Sequence, residues 1–177
     1  MEGFCWTREG LDLISGHYKT GEKLPDVLFE KMLGARNFGQ GLDTMRQVIF
    51  STFDFRLFME YSGEKAADVL RLYREVFTGY HPAPLAEWNR FPNGFAHIFA
   101  GGYGAGYYSY KWAEVLSVDA FSPFVREDGT IDWGVGKKFL DSILSRGGSR
   151  TMMENFVEFR GRKPTIDALL KQNGFMK

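Results

Sequence analysis

Between positions 97 and 112 the chain reads HIFAGGYGAGYYSYKW, with one histidine, four tyrosines and four glycines in sixteen residues. These residue types can do chemistry. Phenols donate hydrogen bonds from rigid, half-apolar rings, which suits gripping a peptide or stabilising an oxyanion. Tyr103, Tyr107 and Tyr110 fall at i, i+4 and i+7, so a helix places three phenols on one face. Before and among them, Gly101, Gly102, Gly104 and Gly106 permit positive φ and close approach of another chain. A flexible lid or peptide clamp fits this glycine run better than a dinucleotide fingerprint, because no βαβ pattern surrounds it. The residues alone leave a second reading open, a tyrosine-rich helix flank whose hydroxyls reach water, since aromatic stripes commonly serve packing. His97, set between Phe95 and Phe99, reads on the residues alone as a hydrogen-bonded core histidine, which is the commoner role of a lone histidine on an apolar run.

The elements that must position this segment are helical throughout. Thr7 caps a helix that contains Gly10 and ends near Gly16, and HYKTGEKLP is a turn-rich connector. Pro25 and Asp26 start a second helix, with Val27, Phe29, Met32 and Leu33 at roughly helical spacing up to Asn37. Residues 40 to 60 form the longest candidate, with Leu42, Met45, Val48, Ile49, Thr52, Phe53 and Leu57 at steps of three and four. A further helix runs from Glu64 to about Thr78, turning Ala67, Leu70, Tyr73 or Val76, and Phe77 inward. Three prolines in residues 79 to 94 break the pattern into a long loop. A helix from about Ala105 to Ala120 then carries the tyrosines, with Trp112, Val115, Leu116 and Val118 available for the core. REDGTIDWG is a surface turn, and helices follow at about 133–144, 151–160 and 164–172. No repeat or strong linker divides the chain, so one mainly α domain over residues 1–177 is expected.

Composition agrees. Hydrophobic residues make up 44% of the chain, with 17 phenylalanines, which argues for a packed core rather than disorder. Basic and acidic side chains balance at 22 each, so the basic excess of a nucleic-acid-binding face is lacking. Cys5 is the single cysteine, excluding an intrachain disulfide and pointing to a reducing compartment. No secretory signal and no run of about 18 apolar residues is present, so cytoplasmic location is the default expectation.

Other candidates read as structural. His17 and Tyr18 belong to a turn, and His81 before Pro82 to a loop. Asp54 and Arg56, inside FDFRL, read as a buried or half-buried ion pair. Cys5 beside Trp6 reads as a small buried hydrophobe. RGGS at 146–149 lacks the spacing of a phosphate loop.

The run FAHIFAGGYGAGYYSYKWAEVLSVDAF, residues 95 to 121, resembles the substrate-binding segment of the thimet oligopeptidase family of zinc peptidases, in particular its bacterial oligopeptidase A branch. CWTREGLDLISGHYKTGEKLP (5–25) is similar to the helix and loop that follow the family's zinc site. FSTFDFRLF (50–58) resembles its phenylalanine-rich helix, and residues 143 to 174 resemble its C-terminal helices. The resemblance therefore spans nearly the whole chain in family order. It implies the C-terminal, helical lobe of a zincin-type catalytic domain that hydrolyses short peptides. It implies that Tyr110 faces the substrate carbonyl and stabilises the tetrahedral oxyanion, and that His97 contacts substrate near the scissile bond. Tyr103, Gly101 and Gly102 become substrate-binding residues, with Tyr107 a further contact; Tyr108 serves packing.

One part of the family pattern is missing. The peptidase chemistry needs H-E-x-x-H on a helix, two histidines binding zinc and a glutamate activating water. The histidines here are His17, His81 and His97, and none is followed four residues later by another. The resemblance sets the third ligand, a glutamate, before residue 1, so Glu2 is not that ligand. No metal ligands are expected in this chain, although zinc is the family's cofactor. Two function classes follow: the substrate-binding part of a zinc metalloendopeptidase, inactive without a zinc-site portion, or a non-catalytic helical module that binds a peptide or protein through its tyrosine face. Short peptides and the zinc-site portion are the expected partners.

Overall fold

The computed structural model describes residues 2–63 and 65–176, with only the backbone of Ala66. Glu64, where a helix start is expected from sequence, lies outside the described residues. Nine α-helices are found among them, and no strand; a single bridge joins Val125 to Ile131 across the REDGT turn. The chain divides into two compact units, Gly39–Ala113 on one hand and Met1–Phe38 with Glu114–Lys177 on the other. No described helix is long and apolar enough to cross a membrane.

The unit Gly39–Ala113 is built on α3, Gln40–Glu60, and α4, Ala66–Tyr80. Gly39 adopts φ 75° immediately before α3, a left-handed conformation that glycine takes without a Cβ penalty. One face of α3 supplies Ile49, Phe50, Phe53 and Leu57 to the core, and α4 answers with Leu72, Tyr73 and Val76. Phe53 is fully buried, with Tyr73 edge-on at 5.3 Å. Fully burying one such side chain is worth about 1.5–3 kcal/mol. The expected apolar faces need two corrections: Leu42 is 53% exposed near the start of α3, and Ala67 is exposed on α4. α4 also runs past Thr78 to Tyr80 and stops there because Pro82 forces His81 into extended backbone.

The loop expected over residues 79 to 94 begins only after that point. It closes with a 3-10 turn, Phe91–Gly94, which buries Pro92, and a four-residue helix follows, α5, Ala96–Phe99. The Phe91 ring stacks on Phe50 at 4.5 Å, so the proline-rich loop is pinned to α3 by aromatic contact.

In the other unit Thr7 caps α1, Arg8–Ile14, its hydroxyl accepting the Gly10 N–H at 3.1 Å. α2, Asp26–Arg36, forms where expected but has no fully buried residue: Phe29 and Met32 are half-buried, whereas Val27 is 64% exposed and Leu33 is also exposed. α6, Ser109–Phe121, carries the boundary between the units within it. Its Val115, Leu116 and Val118 are half-buried, whereas Trp112, expected in the core, is 56% exposed. Asp132 caps α7, Trp133–Phe139, which continues as a π turn, Leu140–Leu144. Thr151 and Glu154 form a reciprocal capping box on α8, Met152–Arg160, and α9 is Asp167–Gln172. Phe4, Phe121, Phe124, Phe139 and Phe159 pack edge-on and stacked at 5.0–6.3 Å between ring centres. Cys5 is half-buried in the 3-10 turn Glu2–Trp6.

Beneath these helices Asp119 is completely buried in the second half of α6. Its carboxylate accepts from Arg162 at 2.6 and 2.7 Å, from Arg160 Nε at 3.2 Å and from the Thr165 backbone N–H at 2.8 Å. Burial alone would push its pKa up; the Arg162 and Thr165 hydrogen bonds and the two guanidinium charges together hold it below the ordinary value.

Candidate functional site

His97, Tyr103, Tyr107 and Tyr110 gather in the unit Gly39–Ala113, but not on one helix face. The helix expected from Ala105 starts only at Ser109, and residues 101 to 108 are turns. The reason is local. Gly102 has φ 78° and Ala105 has φ 55°, and a left-handed residue ends α-helical propagation. Gly101 is held by close approach: an added Cβ would lie 2.9 Å from the His97 carbonyl oxygen.

Backbone bonds replace the helix. The Tyr103 N–H donates to the His97 carbonyl at 3.0 Å, Gly106 N–H to Tyr103 at 2.8 Å and Tyr110 N–H to Tyr107 at 3.2 Å. His97 on α5 and Tyr110 at the start of α6 are thereby brought together through successive turns. Their rings are 5.9 Å apart; Tyr103 stacks on Tyr110 at 4.9 Å, and Tyr107 sits 5.1 Å from Tyr110 and 5.7 Å from His97.

The four members differ in exposure. Tyr107 is buried, its hydroxyl donating to Gln47 Oε1 at 2.9 Å, so it forms the floor of the cluster. Tyr103 and Tyr110 remain 37% and 41% exposed, enough to meet a ligand, and His97 is exposed as well. The core-histidine alternative therefore does not describe His97: its chain neighbours Phe95 and Ile98 turn inward, while Phe99 is itself exposed. Tyr108 stacks on Phe55 at 5.2 Å and Trp112 at 6.3 Å, outside the cluster.

Two of the phenols, Tyr107 and Tyr110, are shifted upward. Tyr110 is pushed up to about 12, first by a hydrogen bond with Tyr103, then by burial and by the neighbouring Tyr103 and Tyr107 phenols. Burial raises Tyr107, partly offset by the charge of Arg46. At neutral pH Tyr110 is thus an O–H donor, which is the form an oxyanion needs. Because its folded-state pKa is raised, its contribution to stability is fully present below pH about 10, the ordinary phenol value, and is lost as pH rises through about 12. Absorbance of tyrosinate checks this. Between pH about 9 and 11, wild type and Tyr110→Phe should titrate alike. Loss of one phenol's signal in that window would mean that Tyr110 ionises normally.

The sequence reading of Asp54 is corrected. It makes no pair with Arg56, which bonds Glu60 at 2.8 Å and Glu75 at 2.7 Å. Asp54 is completely buried, and its two oxygens accept the backbone N–H groups of Ala105 and Tyr107, each at 2.9 Å. The signal was available: residues two apart on a helix do not face each other, so Asp54 needed another partner.

His17 lies in a turn closed by its backbone bonds to Gly21 and Glu22, and His81 stacks on Phe77 at 4.5 Å; neither joins the cluster. Among the described residues no group of three His, Cys, Asp or Glu side chains could hold a metal ion. The donor set among the described residues does not fit zinc. A cavity of ≈ 380 Å³ in the other unit, lined by Phe4, Trp6, Arg36, Phe121 and Phe139 among others, includes none of His97, Tyr103, Tyr107 and Tyr110.

A mainly helical fold is what the peptidase resemblance implies, and comparison with known proteins shows the family. The sequence profile of peptidase family M3 matches residues 1–175. The chain is 50% identical to oligopeptidase A of Escherichia coli (strain K12) over 174 residues, which cover 98% of this chain and 25% of that protein. Oligopeptidase A of Salmonella typhimurium is 49% identical over 98% of this chain and 25% of its own length, and that of Haemophilus influenzae 49% over 99% and 26%. The chain belongs to peptidase family M3. It spans about a quarter of the length of the relatives it matches.

Proposed function

We propose that this chain is the substrate-gripping, C-terminal helical part of a metallopeptidase catalytic domain acting on short peptides. The observation that carries the reading is the stacked, half-exposed Tyr103–Tyr110 pair beside His97, on a buried Tyr107 floor. In this reading Tyr103 and the Gly101–Gly102 backbone hold the peptide. Tyr110 and His97 donate to the carbonyl oxygen as it gains negative charge, where one well-placed donor is worth about 2.7–4 kcal/mol. Tyr107 acts through the rings it supports.

The metal chemistry that the resemblance implies then comes from a segment carrying H-E-x-x-H, joined covalently or in trans. The second reading, a non-catalytic peptide-binding module, draws on the lack of a metal-holding group among the described residues. Purified chain given zinc should retain no stoichiometric metal and should not cleave a quenched-fluorescent peptide. Metal analysis together with that assay decides it: bound zinc with chelator-sensitive cleavage would overturn the expectation and demand another ligand set. Cleavage that appears only when the H-E-x-x-H segment is supplied favours the peptidase reading over the module.

A further inference from the structure

We propose that Asp54 is the positioning residue of the tyrosine site, its buried carboxylate fixing residues 101 to 107 through two backbone N–H groups so that Tyr103 lies against Tyr110. Its importance for catalysis rests on the function proposed above; the positioning itself does not.

A carboxylate with no exposure, on a helix whose Phe50, Phe53 and Leu57 are also buried, is costly unless its charge is met. Here it is met by two N–H groups from residues two apart, one of them Ala105 with φ 55°. Among the described residues Ala105 is the one non-glycine with positive φ. Alternation of right- and left-handed backbone turns successive N–H groups toward a common point, forming a concavity that suits an anion. Asp54 occupies that concavity from within the fold. Charge-assisted bonds of this kind are stronger than neutral ones, so they can hold a left-handed alanine that the local sequence disfavours.

Three more residues of α3 register the same segment. Gln47 accepts the Tyr107 hydroxyl at 2.9 Å, Phe55 stacks under Tyr108 at 5.2 Å, and the Phe58 ring lies so near Gly104 that an added Cβ would sit 2.6 Å from it. Of these, Asp54 alone binds the backbone. The segment it anchors begins beside His97 and ends one turn before Tyr110, so its conformation decides whether the two exposed phenols meet.

The test is Asp54→Asn, which keeps the shape but places an NH2 donor opposite one of the N–H donors. In the folded variant the Tyr103–Tyr110 contact should loosen, and Tyr110 should ionise nearer pH about 10 than about 12. Tyrosinate absorbance at pH about 10–11 should then show one more phenol ionised than wild type. Asp119→Asn, a buried carboxylate in the other unit, should lower the urea midpoint without that signal. If Asp54→Asn lowers the urea midpoint while its tyrosinate titration stays that of wild type, Asp54 is structural only and the proposal fails. Hydrogen exchange on the unaltered chain supplies a second reading that needs no variant. The Ala105 and Tyr107 amides should be protected like core helical amides; exchange at open-loop rates would equally overturn the proposal. With an H-E-x-x-H segment supplied, Asp54→Asn should lower kcat by roughly tenfold or more with KM little changed. A shifted titration with unchanged kcat would leave the positioning intact and remove the catalytic role of Tyr110.

Discussion

Asp119→Ala is expected to lower unfolding stability by about 3–5 kcal/mol, the range for removing one partner of a buried ion pair. The magnitude comes from what is left behind rather than from the worth of the pair. Arg160, 17% exposed, loses its carboxylate, and the Thr165 N–H loses its acceptor. Arg162, 41% exposed, can turn toward water, so its share is the smaller one. Urea titration of the two proteins measures the difference. A loss below about 1 kcal/mol would place the cluster with ordinary surface ion pairs. The pH dependence carries the same signature. Because the folded-state pKa of Asp119 is depressed, its contribution is present above the unfolded value of about 3.9 and is lost as pH falls through the folded value. Asp119→Ala should therefore show a shallower loss of stability in acid than wild type.

Much of this architecture is legible in the sequence because helix ends are written in residue types. Thr7 and Pro25–Asp26 mark starts that coincide with those observed, and the helix expected at about 151–160 is met by Met152–Arg160. The apolar steps of α3 likewise predict both its length and its inward Ile49, Phe53 and Leu57. What periodicity cannot convey is a contact distant in sequence. Tyr103, Tyr107 and Tyr110 at i, i+4 and i+7 suggest a helical face, and the cluster forms, yet by turns. The decisive partner, Asp54, lies about fifty residues earlier. A four-residue helix such as α5 has no period to detect, so the element carrying His97 was invisible. α2 errs in the opposite direction: its helical spacing is real, but Val27 and Leu33 stay exposed, since spacing shows that a face exists and not what covers it.

Tyr110→Phe should lower kcat by roughly 10²–10³ once a segment carrying H-E-x-x-H is supplied by fusion or in trans, with KM little changed. The substitution keeps the ring, and with it the stacking on Tyr103 at 4.9 Å and the contact with Tyr107 at 5.1 Å. It deletes only the O–H donor. A donor aimed at charge that develops in the transition state contributes little to ground-state binding, so the loss falls on kcat. Tyr108→Phe is the control, because that ring stacks on Phe55 and Trp112 outside the cluster and should be nearly silent. Tyr103→Phe separates binding from chemistry. It removes the hydroxyl whose hydrogen bond raises Tyr110, so it should raise KM and move Tyr110 toward its ordinary pKa. His97→Ala is a poorer probe, since it also opens space between the Tyr103, Tyr107 and Tyr110 rings. Steady-state kinetics on a short quenched-fluorescent peptide gives all the values needed. Near-normal kcat in Tyr110→Phe with loss in Tyr108→Phe would move the oxyanion donor to the other phenol. Full activity in both would make the tyrosine cluster packing, and leave the peptide to be held elsewhere.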